Sequence, residues 1–312
     1  MQPIKTVNII GMGALGLLFG MPIRNGLGES QPAYVMDAAR KARHGQERYT
    51  INGAEIKPVI VTPDEAAVAD LVLVGVKYPD LTDALDTMAS SVGEDTIIIS
   101  LMNGVDSEDI LAERYGAEKV LYSVSQEMDA QRYGSTLTYS KAGQLCVGVP
   151  SDAPDGVRAV LAEKLERVCA FFDEVGLPYT RETDIRYRQW CKFMTNVGCN
   201  QVCMVYDAGY GPCMEHGAEA YAMMTGAMRE VAAIARALGI PVGEREVKQY
   251  LGILRSLDPA ALPSMGQDRR QRRRSEVDMF AGVVIRYGER LGIETPVNEY
   301  LLRRVREIEA EY

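Results

Sequence analysis

Apolar residues in the first half of the chain fall into short β-branched runs, with helix-period stretches between them. Lys5-Thr6-Val7-Asn8-Ile9-Ile10 is the first such run and predicts a buried strand. Further strands are expected at Ala33–Met36, Leu71–Val76, Thr96–Ser100 and Val120–Ser123, with helices at Leu81–Met88 and Ser107–Tyr115. This alternation predicts an α/β fold on a doubly wound parallel sheet. Asn52-Gly53 sits between short apolar runs in 49–56 and predicts a small hairpin insertion. Ser135–Tyr139 and Gln144–Val149 read as an antiparallel pair at the far edge. Gly156–Val175 is expected as the last helix of this domain and Leu177–Thr180 as its closing strand. From about Glu182 strand signals fade and helical periodicity takes over. Residues 1–181 and 182–312 are therefore expected as separate domains, the second all-α.

The first strand runs into Gly11-Met12-Gly13-Ala14-Leu15-Gly16, and the helix formers Leu17-Leu18-Phe19 follow. A GxGxxG alone is a weak signal, but one that joins a strand to a helix gives each glycine a mechanical task. Gly11 permits the tight turn, Gly13 lets the backbone approach a pyrophosphate, and Gly16 lets the helix pack closely on the sheet. The helix N-terminus then faces the phosphates. A Rossmann-type, dinucleotide-binding domain is the expectation.

The second strand ends at Asp37, within a few residues of where an acid holds a ribose 2′-hydroxyl. Taken alone, Asp37 indicates NAD. Arg40, Lys41 and Arg43 follow at once, and guanidinium groups suit a 2′-phosphate. Three cations against one carboxylate tip the expectation to NADP, bound as NADPH, with NAD left open. Two further loops follow strand ends, where open α/β sheets bind ligands: Gly75-Val76-Lys77 and Leu101-Met102-Asn103-Gly104-Val105. Lys77 and Asn103 are their polar members, and each also reads as an ordinary surface lysine or turn asparagine.

In the second half, Lys192, Asn196 and Asn200 recur at i, i+4 and i+8. At about 100° per residue they drift by roughly 40° per step and form one stripe on a helix. Trp190, Phe193, Met194, Val197 and Val202 surround them, so the helix is expected to be largely buried. Burying an amine and two amides there is unfavourable unless partners or a ligand satisfy them. Reducing a ketone needs a proton donor, often histidine, yet only His44 and His216 exist and neither sits in a convincing site pattern. A lysine with its pKa lowered by burial can serve instead, which points to Lys192. Ser264-Met265-Gly266-Gln267-Asp268 and Ser275-Glu276-Val277-Asp278 form a second polar constellation. Its carboxylates also read as exposed helix residues, although the apolar setting favours an inward Glu276.

Charge narrows the partners. A net charge of −9 argues against a general nucleic-acid binder, despite the run Arg269, Arg270, Arg272, Arg273 and Arg274. That run reads first as a solvated face or turn, and second as an anion site. No stretch approaches the 18 or so uninterrupted apolar residues of a membrane span, and the N-terminus lacks the zones of a signal peptide. Six cysteines without a CxxC pair or framework spacing indicate reduced thiols and a cytoplasmic protein. Cys199, Cys203, Cys213 and His216 lie close in sequence, but small apolar packing is a simpler account than a metal site, and no metal is expected.

Together these pieces resemble the ketopantoate reductase (2-dehydropantoate 2-reductase) family over nearly the whole chain. The matching residues are Gly11-x-Gly13-Ala14-Leu15-Gly16, Val76-Lys77, Asn103-Gly104-Val105 and Trp190-x-Lys192-x-x-x-Asn196-x-x-x-Asn200. Ser264-Met265-x-Gln267-Asp268, Ser275-Glu276-Val277-Asp278 and Thr295-Pro296-x-Asn298 complete the set. The resemblance implies NADPH on an N-terminal Rossmann domain and an all-helical domain that closes over the substrate. It implies Lys192 as the acid that protonates the ketone, Asn196 and Asn200 orienting the substrate, and Ser264 binding its carboxylate. Glu276 would contact substrate and cofactor, Asn103 would bridge nicotinamide and substrate, and Lys77 would lie beside the cofactor. The implied product is a 2-hydroxy acid such as pantoate, on the route to pantothenate and coenzyme A. Where the family often places Pro after the second asparagine, this chain has Gln201-Val202-Cys203, and Tyr210-Gly211 replaces a further polar contact. That departure leaves the 2-keto acid open. A β-hydroxyacid dehydrogenase would share the lysine and asparagine but not the Ser264 and Glu276 motifs, and a catalytically silent NADP-binding sensor would be expected to have lost the stripe. A homodimer through the helical domain and a monomer both fit the sequence.

Overall fold

The structure, a computed structural model, describes residues 2–312. The chain divides into two compact units, the first ending at Ile185 and the second running from Arg186 to Tyr312. The strands of the first unit are β1 (Val7–Ile10), β2 (Ala33–Val35), β3 (Tyr49–Ile51), β4 (Ala54–Ile56), β5 (Val59–Val61) and β6 (Leu71–Val74). They continue with β7 (Ile97–Ser100), β8 (Val120–Gln126), β9 (Gln131–Tyr133), β10 (Thr136–Thr138), β11 (Gln144–Gly148) and β12 (Tyr179–Arg181). The main sheet has the order β12-β11-β8-β7-β6-β1-β2-β5, and a small sheet has the order β4-β3-β10-β9. In the main sheet only the β11–β8 pair is antiparallel.

The helices of this unit are α1 (Ala14–Leu27), α2 (Ala38–His44), α3 (Leu81–Thr87), α4 (Ser107–Tyr115) and α5 (Asp155–Val175). β1, β6 and β7 are buried along their whole length rather than alternately. Helices on both faces of a parallel sheet demand that pattern. On one face Ile9, Leu73 and Ile99 pack in a core with Leu17 and Phe19 of α1 and Leu165 and Phe172 of α5. On the other, Ile10, Val74 and Ile98 pack with Leu81 and Ala84 of α3 and Leu111 of α4. Gly26 lets α1 meet α5, since a Cβ there would lie 2.6 Å from the Val175 side chain.

One expectation is corrected. The segments 135–139 and 144–149 do not pair with each other: β10 joins β3 and β9 in the small sheet, while β11 joins β8 and β12 in the main one. In β10 only Leu137 is buried, which suits a thin sheet, whereas Leu145–Gly148 is buried throughout and needs the central layer. The carboxylate of Asp129 accepts the amides of Ser140 (2.8 Å) and Lys141 (2.7 Å), holding the connection that separates them. The short strands β5 and β9 are not among those expected, although Val59-Ile60-Val61 of β5 is itself a β-branched run.

The second unit shows helices and no strand among its described residues. α6 (Ile185–Tyr206) leads into α7 (Tyr210–Cys213), α8 (Glu219–Ala237), α9 (Glu244–Arg255), α10 (Ser264–Arg270), α11 (Ala281–Leu291) and α12 (Pro296–Glu309). Trp190 of α6 makes edge contacts with Phe193 and with Tyr287 of α11, at ring separations of 5.8 and 5.5 Å. At Gly198 a Cβ would lie 2.6 Å from Met228, so α6 and α8 touch closely there. Gln201 donates to Asn298 at 3.2 Å, and Asn298 donates to Glu230 at 2.7 Å. Glu230 also accepts the amides of Val297 and Asn298, which anchors the start of α12. The Thr295-Pro296-x-Asn298 motif is thus a structural joint.

The arginine run is mostly a set of internal ties. Arg269 donates to the carbonyls of Met204 and Val205 at the end of α6, Arg270 pairs with Asp207 (3.1 Å), and Arg273 pairs with Asp268 (3.0 Å). Arg272 donates to the Glu311 carbonyl and lies over the Tyr312 ring. His216 bonds Arg255 at 2.7 Å rather than a cysteine, and all six cysteines are buried.

Glu108, in the first turn of α4, is the notable buried acid of the first unit. Its carboxylate accepts from Ser107 (2.8 Å), and burial pushes its pKa up to about 7. An acid raised above its unfolded value binds more protons when folded, so stability falls as pH rises between the two values. Urea unfolding is therefore expected to show this group's contribution to stability lost from about pH 4.3 to about pH 7. Glu108→Gln should flatten that slope and gain up to about 3 kcal/mol at pH 8. A variant with the wild-type slope would contradict this assignment.

Candidate active site

Each unit carries one set of the expected site residues. In the first, β1, β6 and β7 run parallel, so the loops after them leave from the same end of the sheet. Backbone bonds stitch these loops together: Gly75 N to Ile10 O and Leu101 N to Val74 O, both 2.7 Å. Gly11 has φ +98°, and a Cβ on it would lie 2.5 Å from the Gly75 carbonyl. A Cβ on Gly16 would lie 2.1 Å from the Gly11 carbonyl. Both positions therefore require glycine for packing. Gly13 differs, because a Cβ there would meet only the Gly75 carbonyl at 3.7 Å. The space before Gly13 is open, and α1 starts behind it at Ala14 and Leu15 with no side-chain cap. Open space in front of free helix N–H groups fits the pyrophosphate of a dinucleotide.

Lys77 is exposed at the start of the turn after β6, and Asn103 is half-buried in the loop after β7. Tyr78 donates to Asp106 at 2.6 Å and so links these two loops. Asp37 lies just past β2, where its carboxylate accepts the amide of Arg40 at 2.8 Å. Arg40 approaches that carboxylate at 3.5 Å and Asp80 at 3.8 Å, while the Lys41 ammonium bonds Glu65.

Arg132 was not legible as a site residue. From β9 of the small sheet it donates to the carbonyl of Met12 inside the glycine loop and lies over the Tyr49 ring at 5.8 Å. Its sequence neighbourhood carries no motif, and only the folding of the insertion brings its charge to the loop.

In the second unit, Lys192 and Asn196 are half-buried and Asn200 is 4% exposed, on a helix otherwise lined by buried Phe193, Met194, Val197 and Val202. Asn200 donates to Asn196 Oδ1 at 3.5 Å. Its own Oδ1 accepts the Met265 amide (3.2 Å) and the Ser264 hydroxyl (2.8 Å). A backbone amide can only donate, so the Asn200 oxygen must face α10, and Ser264 must be the donor to it. Asn200 thus ties the start of α10 to α6, and a carboxylate at Ser264 would have to draw its hydroxyl proton away from Asn200. Tyr210 and Gly211 hold the preceding loop by backbone bonds to Ala261 and Pro259. A Cβ on Gly211 would lie 2.7 Å from Pro259, which explains that glycine.

Glu276 is half-buried, and its carbonyl accepts the Met279 amide (3.0 Å) in a turn ahead of α11. Its neighbours are structural: Ser275 donates to Glu309 and Asp278 pairs with Arg306 at 2.7 Å.

Family models match both units. Residues 7–150 match the ketopantoate reductase PanE/ApbA model and residues 184–309 its C-terminal counterpart. The chain belongs to the ketopantoate reductase family. It is 25% identical to the 2-dehydropantoate 2-reductase of Vibrio cholerae over 309 residues, covering 97% of this chain and 98% of the relative. The enzyme of the same name from Archaeoglobus fulgidus is 27% identical over 316 residues, covering 98% and 99%. The crystal structure of a PanE/ApbA family ketopantoate reductase from Ralstonia eutropha JMP134 has TM-score 0.79 and 25% identity, covering 98% of this chain and 99% of that one. A complex of D-mandelate dehydrogenase with NADH shares the fold at TM-score 0.82 and 23% identity, again covering 98% and 99%.

For this family member the Asn200 joint yields a direct expectation. Asn200→Ala leaves the Met265 amide and Ser264 without their buried acceptor, which should lower stability by about 1–3 kcal/mol. Chemical denaturation would measure it, and an unchanged midpoint would exclude the tie as a structural element.

Proposed function

We propose that this chain reduces the ketone of a small 2-keto acid, 2-dehydropantoate first, to the 2-hydroxy acid, here pantoate for pantothenate synthesis. The observation that carries this reading is the α6 stripe of Lys192, Asn196 and Asn200, bonded through Asn200 to Ser264, in a ketopantoate reductase family member. A reduced nicotinamide dinucleotide supplies the hydride when bound. The glycine loop supports that cofactor, since it offers open space before Gly13 and uncapped N–H groups.

The half-buried Lys192 gives its proton to the ketone oxygen as negative charge develops there, and regains one from solvent. A preorganised donor in partly desolvated surroundings stabilises that charge more than water does. Asn196 has its side-chain oxygen turned to Asn200, so its amide hydrogens are available to orient the substrate. Ser264 meets the carboxylate by turning its hydroxyl from Asn200. Asn103 and Glu276 are proposed to contact substrate and cofactor, with Lys77 beside the cofactor.

The departure at Gln201 supports a second reading within the same chemistry. Gln201 is fully buried and engaged with Asn298, where a proline is common in the family, so a related 2-keto acid is the alternative substrate.

Consumption of reduced dinucleotide should be followed by absorbance with ketopantoate and a panel of other 2-keto acids. Lys192→Ala is expected to lower kcat by about 10²–10⁴-fold while leaving dinucleotide affinity unchanged. Undiminished turnover in the variant would remove Lys192 as the acid. Tight dinucleotide binding with no turnover on any 2-keto acid would replace the reductase reading with a binding protein.

A further inference from the structure

The choice of dinucleotide rests on the reading above and on the charges beyond β2. Val35 of β2 pairs with Ile10 of β1, so Asp37 lies just beyond the strand end beside the glycine loop. It also follows that loop by about 20 residues, the spacing at which an acid meets the adenine ribose. Its side chain is 54% exposed, and the bond from the Arg40 amide holds it in place. That bond leaves lone pairs on both carboxylate oxygens, enough for two ribose hydroxyls. The same amide holds the carboxyl below its ordinary range, so it is ionised at neutral pH.

The three cations that follow in sequence do not form an anion pocket. Arg40 lies between Asp37 (3.5 Å) and Asp80 (3.8 Å). Lys41 bonds Glu65, which also accepts the Thr62 amide at 2.8 Å and has its pKa lowered to about 2. Arg43 is exposed at the far end of α2, and its charge is felt at Tyr49 of the small sheet. Two cations near the strand end thus face three carboxylates, so the local charge is net negative. A 2′-phosphate, close to doubly charged, would meet Asp37 directly and could recruit Arg40 only by separating it from two acids.

We propose that Asp37 makes this chain select NADH over NADPH, by accepting the hydroxyls of the adenine ribose and excluding a 2′-phosphate. This reverses the count of three cations against one acid, because the cations are neutralised by acids distant in sequence.

Nicotinamide fluorescence titration of the purified full chain, without substrate, tests it. NADH is expected to bind at least about tenfold more tightly than NADPH. Asp37→Ser keeps an oxygen that can cap α2 and removes only the charge. That variant is expected to lose NADH affinity, gain NADPH affinity and erase the preference. Equal or tighter NADPH binding by the wild type, or an unchanged ratio in Asp37→Ser, overturns the assignment. Binding of neither dinucleotide by protein with a folded circular dichroism spectrum would instead overturn the cofactor reading beneath it.

Discussion

A polar group taken out of water must find a partner, and both units are shaped by that requirement. In the first, β1, β6 and β7 are buried on both faces, so backbone groups can reach a ligand only at the strand ends. The loops leaving one end are locked by backbone bonds at Gly75 and Leu101, and Gly11 and Gly16 are packed too closely for any side chain. What this packing leaves is open space before Gly13.

In the second unit the same requirement falls on α6. Apolar packing by Trp190, Phe193, Met194 and Val197 holds the helix in the interior, which makes every polar residue on it conspicuous. The Gln201 amide nitrogen donates to the Val197 carbonyl and to Asn298, and the Asn200 oxygen accepts from Ser264 and Met265. The stripe thus runs from Asn200, bonded to α10, to the half-buried Lys192, which the proposed reading makes the proton donor. In a chain with two histidines, one held near Glu47 and the other by Arg255, a lysine is the remaining cationic acid of suitable chemistry.

Much of this was legible in the sequence because it depends on local periodicity. The strand–GxGxxG–helix unit, the parallel strands and the polar stripe each follow from spacing within one element. The pairing of 135–139 with 144–149 failed for the complementary reason. Both segments are good strands, but their partners are chosen by burial, and Leu137 and Leu145 belong to layers that no local pattern distinguishes. Arg132 and the Asn200–Ser264 bond were hidden likewise, since they join residues 120 and 64 positions apart.

The sequence by itself determined the kind of domain in each half, the glycine loop and the line of Lys192, Asn196 and Asn200. Those features arise from backbone geometry and from the repeat of a single helix or strand. Only the tertiary structure decided which polar groups are engaged with each other. Asp37, Arg40 and Lys41 read as one acid and two bases until Asp80 and Glu65 arrive from other segments. Electrostatic character is a sum over neighbours in space, and neighbours in space are what folding, rather than chain order, supplies.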